Sequence, residues 1–60
     1  MISAERPRLV SRHGGIEVWE VSEDPHAYVA RVAGRQVGEG GPTPAGVRRA
    51  ARAAIVKAQK

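Results

Sequence analysis

Sixty residues with a net charge of +4, no cysteine, no phenylalanine, one tryptophan and one tyrosine describe one small domain over residues 1–60, which buries only about 60% of the surface its unfolded chain exposes. Without cysteine, neither a disulfide framework nor a zinc–thiolate site reinforces it, so Trp19 and Tyr28 are expected to supply much of the core, with a homodimer relieving the shortage. No run of about 20 apolar residues is present to span a membrane, and the N-terminus lacks a signal peptide's apolar segment; the expectation is a cytoplasmic protein, and a chain that starts at Met1 without a tag reads as a complete small gene product.

In chain order, Met1 to Arg6 carries no pattern and is expected to fray. Pro7 can open a strand but not sit centrally in one, so the first strand runs Arg8 to Arg12. His13-Gly14-Gly15 is a turn signal. Ile16 to Ser22 is rich in β-branched and aromatic residues and reads as a strand. Glu23-Asp24-Pro25-His26 is a four-residue turn in which Pro25 fixes φ. Ala27 to Val32 is the next strand, Ala33-Gly34 a tight turn, and Arg35 to Glu39 the returning strand. Gly40-Gly41-Pro42 ends the sheet. The fold class is therefore α+β: an antiparallel β-meander of three or four strands over residues 8–39, packed under one C-terminal helix.

Thr43 opens that helix, because its hydroxyl can accept a hydrogen bond from a first-turn amide, and Pro44 fits the first helical position, which needs no donor. The helix is expected over 43–59. Val47, Ala50, Ala51, Ala54, Ile55 and Ala58 recur at helical spacing and form one apolar stripe.

The tight turn at Ala33-Gly34 sets Val32 against Arg35 and Ala30 against Val37. If the four-residue turn pairs Ser22 with Ala27, Trp19 lies opposite Ala30 and Val21 opposite Tyr28. The expected core is then Leu9, Trp19, Val21, Tyr28, Ala30, Val32 and Val37. The other side of the sheet carries Val10, Ile16, Val18 and Val29 beside Glu20, Arg31 and Gln36. Four aliphatic residues on an outer face exceed what a monomer displays. Either the register is one residue off, or that face meets a partner.

Charge is divided along the chain. Five basic and six acidic residues precede Gly40, and five basic and no acidic residues follow it. A one-sided positive surface points to phosphate backbones, acidic protein surfaces or anionic membranes as partners. Lys57 and Lys60 complement the negative end of the helix dipole. That account does not extend to Arg48, Arg49 and Arg52, which lie in the first half of the helix. Arg48 and Arg52 are i,i+4 neighbours with Arg49 beside them, and no acid within the helix pairs with them.

Ile16 to Ile55 resembles the second half of a double-stranded RNA-binding domain. Ile16-Glu17-Val18-Trp19-Glu20-Val21 looks like its opening strand, and Asp24-Pro25-His26 like the loop whose histidine approaches the RNA minor groove. Gly34-Arg35-Gln36-Val37-Gly38-Glu39-Gly40 looks like its hairpin and glycine-rich exit, followed by an alanine-rich helix. That resemblance implies RNA binding with His26 as a contact. The family's first helix is missing here, and its lysine pair falls at Pro44 and Ala45. A second resemblance, to HicB-like antitoxin domains, rests on Gly41-Pro42-Thr43-Pro44 followed by Val47, Ala51, Ala54 and Ile55. The acidic pair usual after the proline is replaced by Ala45 and Gly46.

No catalytic set is legible. The only histidines, His13 and His26, lie in turns. Glu23, Asp24 and His26 read as a polar turn rather than a metal site. Gly38-Glu39-Gly40-Gly41 lacks the lysine of a phosphate-binding loop. No cofactor and no metal are expected. Binding is expected to fall to Arg48, Arg49, Arg52 and Lys57, with His26 and Arg31 as further contacts and nucleic-acid phosphates as partner. Trp19 would stack on bases only from the surface. The competing class is a protein that inhibits a nuclease or ribonucleoprotein complex through an acidic surface, in the manner of an antitoxin or a phage-encoded anti-CRISPR protein. A membrane-surface helix is disfavoured because alanine offers little apolar area to insert.

Overall fold

In the computed structural model, which describes residues 6–59, β1 (Arg8–His13), β2 (Ile16–Glu23), β3 (His26–Val32) and β4 (Arg35–Gln36) precede α1 (Pro44–Ala58). The strands form one antiparallel sheet in the order β1-β2-β3-β4, so the chain is an α+β meander with one C-terminal helix. The fraying expected of Met1 to Glu5 and the dipole role of Lys60 lie outside the described residues. Arg6 is exposed and precedes the sheet.

Three two-residue turns join the strands. Gly14 and Gly15 have φ of 55° and 82°, as the primed hairpin turns require. His13 therefore pairs with Ile16 instead of belonging to the turn. Ala33 and Gly34 repeat that geometry at φ 53° and 81°, and Val32 pairs with Arg35 as expected. The middle turn is Asp24-Pro25, with a cis peptide bond; Glu23 and His26 pair across it, so it is two residues shorter than the sequence suggests.

The expected pairing of Ser22 with Ala27 is present, but Val21 is an extra, unpaired residue beyond it. This bulge shifts the rest of β2 by one residue. Val18 instead of Trp19 faces Ala30, and Glu20 instead of Val21 faces Tyr28. A second bulge at Val10 sets Leu9 opposite Trp19 and Ser11 opposite Val18. The expected core is corrected accordingly. Ile16 and Val18 turn inward, and Leu9, Trp19 and Val21 leave the interior. The buried apolar residues are Ile16, Val18, Ala30, Val47 and Ala51, with Tyr28, Val32, Val37 and Ile55 packed against them.

Close approach of helix and sheet explains why valine and not tryptophan fills that layer. Gly38, at φ 74°, lies so near α1 that a Cβ there would meet the Ala50 carbonyl carbon at 2.9 Å. Gly38 also ends β4 after two residues instead of the five expected, by turning the chain toward the helix. The Val37 amide still donates to the Ala30 carbonyl (2.9 Å), and Gly41 rejoins the sheet edge by exchanging two hydrogen bonds with Tyr28 (2.8 and 3.0 Å). The Thr43 hydroxyl then accepts from the Gly46 amide at 3.2 Å, capping α1 as expected. Val47 and Ala51 are fully buried and Ala50, Ala54 and Ile55 half-buried; Ala58, at the far end of the expected stripe, is exposed.

Candidate functional site

Burying Val47 and Ala51 against the sheet fixes what α1 presents outward. Arg49, Arg52, Ala53, Val56 and Lys57 are exposed, as is Ala45 one turn earlier. A shallow cleft is lined by Arg49, Arg52, Ala53, Val56 and Lys57, and a second by Ala45, Arg48, Arg49 and Arg52. Val56 is 54% exposed, the most open large aliphatic side chain among the described residues. The outward face is thus cationic with small apolar residues between the charges.

Arg48 differs from its neighbours. It is half-buried, and its Nη2 donates to the Ser11 hydroxyl at 2.6 Å. Its Nε is enclosed and has no hydrogen-bond partner among the described residues. One edge of the guanidinium is therefore held against β1 while the charge stays uncompensated. The anchor depends on the Val10 bulge, because Ser11 sits opposite buried Val18 and so faces the helix side of the sheet.

Glu20 and Glu17 of β2 are engaged elsewhere. Glu20, 7% exposed, meets Arg8 Nη2 at 3.1 Å and His26 Nδ1 at 3.5 Å. Glu17 accepts from Arg12 Nη2 at 2.8 Å and from the Trp19 indole N–H at 3.1 Å. The indole hydrogen bond, with Arg12 and Arg31 adding positive charge, holds the Glu17 carboxyl below its ordinary value. Among the described residues, no carboxylate forms an ion pair with Arg48, Arg49, Arg52 or Lys57.

The other two expected contacts stand apart from this cluster. Arg31 neighbours buried Ala30 in β3 and so points to the opposite side of the sheet, with its guanidinium 5.7 Å from the Trp19 ring centroid. His26 is exposed at the start of β3, near Glu20 and stacked on Tyr28 with ring centroids 6.3 Å apart. The structure thus gathers Arg48, Arg49, Arg52 and Lys57 on one helix and separates Arg31 from them by the thickness of the sheet. Sequence reasoning missed Ser11 as the anchor of Arg48 and Glu20 as the buried acid. Both depend on bulges that no turn residue marks.

Among the described residues, no three histidine, aspartate or glutamate side chains cluster closely enough to hold a metal ion, and no helix is long and apolar enough to cross a membrane. No protein-family model, curated protein or solved structure matches the chain.

Proposed function

We propose that this chain is a non-enzymatic binding protein whose helix contacts the phosphates of a nucleic acid. The observation that carries the reading is the contrast in pairing. Arg8 and Arg12 in β1 are matched to Glu20 and Glu17, whereas the four cations of α1 meet no carboxylate among the described residues. Phosphate oxygens accept well from guanidinium groups, and Arg offers a planar fork for them. Arg49, Arg52 and Lys57 are the exposed contacts, and Arg48 adds a charge whose direction Ser11 sets. A cytoplasmic location suits this reading. The resemblance to the double-stranded RNA-binding domain supports a nucleic acid as ligand, although the helix cations begin a turn later than that family's lysines.

Mobility shifts with duplex DNA, duplex RNA and single strands, repeated across salt, test the proposal. Binding is expected at low salt, with affinity falling by a log–log slope of about −0.9 per phosphate contacted. The combined variant Arg48→Glu, Arg49→Glu, Arg52→Glu should not bind. Failure of every nucleic acid to shift at low salt would overturn the reading. It would favour the second one, inhibition of a nuclease or ribonucleoprotein complex through an acidic protein surface, for which the apolar Val56 between Arg49, Arg52 and Lys57 is the supporting feature.

A further inference from the structure

We propose that α1 docks in the major groove of B-form duplex DNA; this rests on the phosphate-binding reading above and goes beyond it by naming the form of nucleic acid. At about 100° per residue, Arg49, Arg52 and Val56 project away from the buried Val47 and Ala51, with Ala45 and Ala53 beside them. These five residues are all exposed. Arg48 leaves one flank of the helix toward β1, where Ser11 holds it, and Lys57 leaves the other flank. Across the helix the order is therefore cation, a ridge of arginines and methyl-sized groups, cation.

The major groove of B-form DNA presents the matching order: phosphate wall, floor of base edges, phosphate wall. It is about 12 Å wide and admits a helix. The 15 residues of α1 extend about 22 Å along such a groove. Ala45, Ala53 and Val56 let the backbone come near the floor and can touch thymine methyl groups. Arg49 and Arg52 can each fork onto the N7 and O6 acceptors of guanine. The A-form groove of duplex RNA is too deep and narrow for side chains to read. On RNA the same face would reach phosphates alone.

The test begins with selection of bound duplexes from a random-sequence DNA pool by the full chain. The enriched duplex is then compared with the same DNA carrying 7-deazaguanine and with an RNA duplex of the same sequence. The enriched sequences should share one or two guanines near thymines. Both the modified DNA and the RNA should bind about tenfold more weakly or worse. Arg49→Lys with Arg52→Lys keeps the charge and removes the forks. It should weaken binding of the enriched sequence about tenfold or more and of unselected DNA by less, so that the preference for the enriched sequence is lost. RNA bound as tightly as DNA, or a pool without sequence preference, would overturn groove docking and leave phosphate binding standing. No duplex bound at low salt would remove both.

Discussion

The outward face of the sheet and the outward face of the helix both carry arginines, but they use them differently. On the sheet, Arg12, Glu17 and Arg31 lie in one cross-strand row. Arg12 is bonded to Glu17, and Arg31 lies over Trp19. Each charge there has a neighbour that lowers its need for an outside partner. On the helix, Arg49, Arg52 and Lys57 stand in solvent among alanine and valine. Arginine content alone therefore does not mark a binding surface. The two regions differ in their acids: Glu17 and Glu20 bond to Arg12 and Arg8, and no carboxylate among the described residues pairs with the helix cations.

The largest expected effect breaks the helix side of this comparison. Reversing Arg48, Arg49 and Arg52 to glutamate should abolish nucleic-acid binding at low salt in a mobility shift, while far-ultraviolet circular dichroism keeps the native shape; retained binding would contradict the assignment. Next comes Gly38→Ala, which disturbs both faces because it moves the helix on the sheet. Its Cβ would press on the Ala50 backbone and sit at positive φ, so denaturant unfolding should show a loss of about 2–3 kcal/mol. Ser11→Ala sharpens the helix side by freeing Arg48 without changing charge. Affinity should fall about threefold by fluorescence anisotropy, the scale of one hydrogen bond.

Smaller effects address the sheet. Ala33 holds φ 53°, where a Cβ is disfavoured, so Ala33→Gly should stabilise the fold by about 0.5–1 kcal/mol and leave binding untouched. Glu17 has a carboxyl held below its ordinary value of 4.5. A depressed acid stabilises the fold above its unfolded value, and that contribution disappears as pH falls through the lowered native value. Glu17→Gln should therefore flatten that acid limb of the stability–pH curve, with no change in affinity at neutral pH.

Much of the fold was legible because turns and caps carry local chemistry. Gly14-Gly15, Ala33-Gly34 and Thr43-Pro44 mark their positions by φ preference and capping, and the strands and helix follow. The inner and outer faces of β2 were not legible. A bulge at Val21 has no residue signature, since valine suits a regular strand equally well, yet one unpaired residue exchanges Val18 for Trp19. The outward placement of Arg49, Arg52 and Lys57 was legible despite the bulge, because the apolar stripe of α1 is set by 3.6-residue spacing within one element. The separation of Arg31 from the helix cations was not legible, since nothing local says that β3 turns that side chain away from α1. The Ser11 anchor was hidden for the same reason as the core.

The most direct measurement compares two variants of equal charge. Arg49→Gln with Arg52→Gln and Arg12→Gln with Arg31→Gln each remove two of the ten basic side chains from a chain of net charge +4. Affinity for duplex DNA across a salt series should collapse, with a shallower slope, for the helix pair and stay near the wild-type value for the sheet pair. Equal losses in the two variants, or a larger loss in the sheet pair, would contradict the claim that the helix face is where this protein meets its ligand.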